Sequence, residues 1–123
     1  MSSKVLIADD HPRSRNGLRA ILALWPEVQV IGEAADGHEA VRLVEQLRPD
    51  VVLMDARMPG MDGLEATWHI KSTWPQVEVI VLTVHPHFQA GALAAGADGF
   101  LLKGCPPQEL LQAIVGQGKK SGS

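Results

Sequence analysis

Short apolar runs of strand length alternate with stretches whose apolar residues recur at helical spacing, and the alternation repeats five times along the chain. Few architectures accommodate that order. The run Lys4 to Asp9 (KVLIAD) predicts a strand that leads into the acids Asp9 and Asp10. Leu18, Ile21, Leu22 and Trp25 then fall at i, i+3, i+4 and i+7 and predict a helix stopped by Pro26. Val28 to Ala35 opens with apolar/polar alternation, as expected of a strand with one wetter face or at a sheet edge. Ala40, Val41, Val44 and Leu47 form the next helical stripe, closed by Arg48-Pro49. Asp50 to Asp55 (DVVLMD) is almost wholly apolar until its last residue, the pattern of a central parallel strand covered on both faces. After the loop Ala56 to Gly63, a third helix carrying Leu64, Trp68 and Ile70 is expected to end before Trp74-Pro75. Val77 to Thr83 reads as a fourth strand and Asp98 to Leu102 as a fifth. The Ala/Gly-rich segment between them (FQAGALAAG) is expected to form a short or mobile helix, because each glycine costs up to ~1 kcal/mol of helix propensity against alanine. Pro106-Pro107 opens a last helix with Leu110, Leu111, Ile114 and Val115 on one face.

Repeated strand-helix order implies right-handed crossovers, and so an α/β domain: a doubly wound, five-stranded parallel sheet with helices on both faces. At 123 residues and 46% apolar, the chain suffices for one such domain and its core without a disulfide. Residues 1–116 are assigned to that domain, and residues 117–123, which lack periodicity, to a linker or tail. Cys105 stands alone and no basic segment precedes an apolar one near Met1, so a cytoplasmic setting is expected. No apolar run approaches the ~18 residues of a membrane span. A net charge of -3 makes the domain by itself a poor nucleic-acid binder.

In doubly wound sheets the ligand site lies at the carboxyl ends of the strands. Those ends carry Asp9 and Asp10, Asp55, Thr83 and Lys103. Each alone has an ordinary explanation as a helix cap, a turn residue or a solvated lysine. Together they do not, because neighbouring carboxylates repel by ~4 kcal/mol per pair at 4 Å and an effective dielectric near 20. A compensating cation is required, and oxygen ligands without a His/Cys cluster suit Mg²⁺. With it, Asp55 is placed as a nucleophile toward phosphorus, with Lys103 and the Thr83 hydroxyl as partners of the phosphoryl oxygens.

From Lys4 to Val115 the chain resembles the receiver domains of two-component response regulators, in particular the NarL/FixJ type that usually precedes a LuxR-type helix-turn-helix. The resemblance rests on Asp9-Asp10-His11-Pro12 with Gly17-Leu18-Arg19, on Pro49 to Asp55, on Met58-Pro59-Gly60-Met61-Asp62-Gly63-Leu64-Glu65, on Leu82-Thr83 and on Gly96 to Lys103. It implies a flavodoxin-like (βα)5 fold with strand order 2-1-3-4-5. It also implies that Asp55 accepts a phosphoryl group from a sensor histidine kinase. Asp10, Asp55 and the Arg57 backbone carbonyl are then the implied Mg²⁺ ligands, with Asp9 acting through metal-bound water. Thr83 and Lys103 sense the phosphoryl group, and Phe100 occupies the switch-aromatic position. Homodimerisation on phosphorylation and DNA binding through an output domain outside this sequence complete what the resemblance implies. Two departures stand out: Gly104 follows the lysine where the family often has proline, and Val84 follows the threonine where a small residue is common. The resemblance also implies that Arg57 and His85 fall at the two variable positions that in this family tune dephosphorylation.

Competing readings have less support. An aspartyl-phosphate phosphatase wants a second aspartate two residues beyond the nucleophile, where Arg57 stands. Nucleotide or flavin binding wants a glycine- or hydroxyl-rich loop after the first strand, where Asp-Asp-His-Pro stands. A receiver-like docking module without phosphorylation would discard the five site residues that this chain keeps. His85-Pro86-His87 lacks a neighbouring carboxylate or cysteine, so a loop is expected there rather than a metal site. His11 reads as a helix start, His38 and His69 as surface groups, and Arg13, Arg15 and Arg19 as a solvated helix face. Trp25, Trp68 and Trp74 lie at or near helix ends, where partial burial is expected and a dimer face is the alternative.

Overall fold

The computed structural model describes residues 2–120. Five strands, β1 (Ser3–Ala8), β2 (Val28–Ala34), β3 (Val51–Met54), β4 (Glu78–Thr83) and β5 (Gly99–Leu102), form one sheet in the order β2-β1-β3-β4-β5. Every pairing is parallel. The helices are α1 (Pro12–Leu22), α2 (Gly37–Leu47), α3 (Gly63–Thr73), α4 (Gln89–Ala94) and α5 (Pro107–Lys120). The chain order turns back at β1, so the β1 and β3 ends flank the crevice where such sheets bind ligands.

The strand period of two divides the core into two layers. Leu6, Ala8, Val52, Met54, Val79 and Val81 face α2, α3 and α4 through Ala40, Val44, Ala66, Ile70 and Ala92. Val5, Ile7, Val51, Leu53 and Ile80 face α1 and α5 through Leu22, Leu110 and Ile114. All four residues of β3 are buried, as expected for the central strand, while β2 lies at an edge with five of its seven residues at least partly exposed. At ~1.5–3 kcal/mol per fully buried large aliphatic side chain, these layers hold the polar sheet rim in place.

Two boundaries differ from the sequence expectation. α1 ends at Leu22, not at Pro26: the Leu24 and Trp25 N–H groups donate to Ile21 and Leu22 at 3.2 and 3.1 Å in a tightened last turn. The residue before a proline is biased away from helical conformation, so Trp25 packs on the α1/α5 core layer from outside the helix. α5 runs to Lys120, past the last apolar position of its stripe, so residues 117–120 continue a helix where a linker was expected. Once Leu110 and Ile114 anchor a helix, each further residue adds a backbone hydrogen bond without a new nucleus. α4 is the expected short helix, six residues preceded by a 3₁₀ turn over Pro86–Phe88, with Ala92 its one buried residue. Among the described residues, no helix is long and apolar enough to cross a membrane.

Candidate functional site

Beyond the last strand residues, parallel hydrogen bonding continues for one more rung. The Asp9 N–H donates to the Ala34 carbonyl at 2.9 Å, the Asp55 N–H to Ala8 at 2.9 Å and the Lys103 N–H to Thr83 at 2.8 Å. Backbone pairing therefore delivers three charged side chains to one rim. Lys103 Nζ lies 2.7 Å from Asp9 Oδ2 and 3.1 Å from Asp55 Oδ2 and bridges them. Asp9, Asp55 and Thr83 are 1%, 7% and 1% exposed; for the two acids such burial is unusual and marks them as held rather than solvated. Thr83 Oγ1 accepts the His85 N–H at 3.3 Å.

The loop carrying Asp55 is pinned by close backbone packing. A Cβ on Gly63 would sit 1.6 Å from the Asp55 carbonyl oxygen, and the Gly63 N–H donates to Ala56 at 3.0 Å. Only glycine lets the start of α3 approach so closely. Asp62 caps that helix, accepting the Glu65 N–H at 2.8 Å.

Burial first pushes the Asp55 carboxyl above its ordinary value, and the Asp9 charge adds to it against the opposing pull of Lys103. Burial acts on Asp9 in the same sense, but hydrogen bonds from Lys103, Ser14 and the His11 N–H outweigh it and hold Asp9 below the usual carboxylate range. Lys103 is pushed down by burial, yet its two acid partners raise it overall.

Asp9, Asp10, Asp55 and His11 each offer a ligand atom within 4.8 Å of the others. Asp10 Oδ1 is buried and makes no hydrogen bond, although His11 Nδ1 stands 3.1 Å away. Three carboxylates against one lysine leave two negative charges, matching one divalent cation. The orphaned Asp10 oxygen and the oxygen-rich donor set both fit Mg²⁺. His11 is the N-cap residue of α1 with Pro12 following, as expected, but its ring also edges this acid cluster.

An open cleft of about 320 Å³ lies over Asp55, lined among others by His11, Arg57, Thr83, Val84, His85 and Lys103. Arg57 and His85 thus stand at its mouth; the Arg57 guanidinium also lies 6.0 Å from the centre of the Phe88 ring. Phe100 is not part of this cleft. It packs half-buried on the α2/α3/α4 layer and lines a neighbouring hollow with Pro86 and Gln89.

Of the α1 arginines, Arg15 departs from the expected solvated face. Arg15 is not solvated: Nη1 donates to the Asp9 carbonyl at 2.6 Å and Nε to Glu33 Oε1 at 3.0 Å. Arg19 pairs with Glu33 Oε2 at 2.9 Å, while Arg13 is exposed. Sequence reasoning missed Arg15; the one signal that could have found it is a cationic residue in the first helical turn after two strand-end acids. His38 is exposed and His69 partly so; of the tryptophans, Trp68 is exposed and Trp25 and Trp74 are half-buried.

A five-stranded sheet in this order, with an acid pair, a buried aspartate, a threonine and a lysine at its carboxyl rim, defines a receiver-type domain. The chain belongs to the response regulator receiver domain family, whose model matches residues 5–115. It is 38% identical over 112 residues to the nitrate/nitrite response regulator protein NarL of Escherichia coli K12, covering 89% of this chain and 52% of that protein. It is 41% identical over 119 residues to the transcriptional regulatory protein DegU of Brevibacillus brevis, covering 94% of this chain and 50% of that one. Among solved structures, the signal receiver domain of the response regulator NarL from Mycobacterium tuberculosis superposes with a TM-score of 0.90 at 38% identity, over 96% of this chain and 97% of that one. The chain spans about half the length of the curated relatives it matches.

Proposed function

We propose that this domain takes a phosphoryl group onto Asp55 from a sensor histidine kinase and uses it to control an output. The observation that carries the reading is the Lys103 bridge: one ammonium shared by Asp9 and Asp55, beside Thr83, at the crevice of the sheet. An Asp55 carboxylate oxygen attacks phosphorus in line. The new O–P bond forms as the bond from phosphorus to the donor breaks, and the donor leaves with that electron pair. Asp10, Asp55 and the Arg57 backbone carbonyl would hold Mg²⁺, with Asp9 acting through water, and the ion would supply charge neutralisation for the incoming phosphate. Lys103 pairs with the phosphoryl oxygens, and the Thr83 hydroxyl donates to another. Their movement re-biases the loop into α4, and Phe100 moves toward the space that Thr83 leaves. Arg57 and His85, at the mouth of the cleft, tune how readily water removes the group; Arg57→Ala and His85→Ala change the phosphoryl lifetime, and unchanged decay in both rejects that role. A transcriptional output is supported by the relative named as a transcriptional regulatory protein; DNA binding through a separate domain, homodimerisation on phosphorylation and a cytoplasmic setting are carried over from the family resemblance as part of the same proposal.

Intact mass after incubation with acetyl phosphate and Mg²⁺ tests the reading. A Mg²⁺-dependent gain of one phosphoryl mass, absent in Asp55→Asn, is expected. No gain in the wild type, with Mg²⁺ binding also absent, assigns the domain to phosphorylation-independent docking instead.

A further inference from the structure

Arg15 is treated by its pattern as a surface residue and by the reading above as no part of the site, yet its contacts place it directly behind the acids. Asp9 is the first residue after β1. Its N–H completes the ladder to Ala34, but its carbonyl points beyond the last paired residue of β2 and has no strand partner there. Arg15, in the first turn of α1, takes that carbonyl with Nη1 at 2.6 Å. The guanidinium is itself aimed, because Nε donates to Glu33 Oε1 at 3.0 Å, and Glu33 stands on β2 with its other oxygen held by Arg19 at 2.9 Å. The Arg15 side chain is 19% exposed, so this bond is largely shielded from competing water. The Asp9 backbone is thus held on both flanks: the N–H of the Ala8–Asp9 peptide is bound to β2, and the carbonyl of the Asp9–Asp10 peptide is bound to Arg15 on α1. The Asp9–Asp10 peptide leads straight into Asp10, whose buried Oδ1 makes no hydrogen bond, with His11 Nδ1 3.1 Å away.

We infer that Arg15, aimed by Glu33, is a positioning residue for the cation site: it fixes the Asp9–Asp10 peptide so that both carboxylates face the crevice before an ion arrives. The inference rests on the Mg²⁺ reading proposed above. Preorganised ligands bind more tightly because their ordering precedes binding.

Charge and positioning predict opposite signs, which makes the inference decisive to test. Removing a positive charge near an acidic site strengthens cation binding by Coulomb attraction. Removing a positioning group weakens it. Mg²⁺ titration by calorimetry of the wild type, Arg15→Met, Arg15→Lys and Arg19→Met separates the two. The expected result is a Kd about 5–20-fold weaker in Arg15→Met, partly recovered in Arg15→Lys, and unchanged or tighter in Arg19→Met, which removes the same charge from the same glutamate without touching Asp9. Amide exchange of the metal-free protein supplies a readout that needs no ion: the Asp9 and His11 amides, which donate to Ala34 and to Asp9 Oδ1, speed up about tenfold in Arg15→Met while those of β3 and β4 do not. Arg15→Met binding Mg²⁺ as tightly as the wild type, or with uniformly faster exchange throughout, overturns the positioning role. A wild type that binds no Mg²⁺ overturns the cation reading, and this inference with it.

Discussion

The two sides of the crevice are built differently. On the acid side, Asp9 and Asp55 follow the central strands β1 and β3, whose last four residues and whole length, respectively, are buried. Their loops are tied down by Arg15 on the Asp9 carbonyl and by Gly63 against the Asp55 carbonyl. On the other side, Lys103 follows the edge strand β5, in which every residue is at least partly exposed, and the chain after Thr83 runs through an exposed 3₁₀ turn into a six-residue helix. Thr83 itself ends the buried strand β4, but the segment that follows it and β5 bury few residues fully. Local stability follows contact density, so the acid side is a fixed platform and the threonine-lysine side is the part free to answer a new charge.

The same kind of substitution should act oppositely on the two sides. Gly63→Ala forces a Cβ into a carbonyl oxygen that belongs to the backbone and cannot swing away. A loss of at least ~3 kcal/mol in urea unfolding is expected, with phosphorylation lost as the Asp55 loop shifts. A variant as stable and as reactive as the wild type would break the comparison at its strongest point.

Lys103→Met, which unpairs two largely buried acids across the crevice, should cost about 2 kcal/mol in chelator, and added Mg²⁺ should restore more stability to it than to the wild type. Thermal melts with and without the ion measure both effects.

Asp55→Asn should raise Tm by about 2–5 °C at neutral pH in chelator. Because burial above all holds the Asp55 carboxyl above its ordinary value, the folded wild type is fully stable with respect to this group only below the unfolded carboxylate pKa near 3.8. That stability is lost as pH rises through the higher folded value, and asparagine lacks the loss. The gain should therefore vanish at low pH; a gain that is constant across pH points to packing rather than charge.

Gly91→Ala on α4 should have the smallest effect, a rise of up to ~1 kcal/mol from helix propensity. Its Cβ would meet only Leu64 Cδ1 at 3.0 Å, the end of a flexible side chain. A loss comparable to that of Gly63→Ala would show that the α4 side is as tightly built as the acid side.

The sheet order, followed from the resemblance, and the rim residues were legible because strand period and strand length say where each chain segment ends. Asp55 is visible as the first polar residue after VVLM, and Lys103 as the first after GFLL. The contacts that hold those residues were not. Arg15 and Glu33 are 18 positions apart on different elements, and their meeting depends on how α1 is rotated against β2. Gly63 looks like any loop glycine until α3 is docked against the Asp55 carbonyl. The early end of α1 and the continuation of α5 were equally hidden, since apolar stripes report burial rather than where backbone hydrogen bonding stops.

Residue-resolved amide exchange of the domain with and without the phosphoryl group tests the platform account most directly. The account predicts altered protection confined to residues 83–105, with the β1 and β3 amides unchanged. Identical exchange in the two states, or changes as large in β1 and β3 as in the α4 segment, would contradict it.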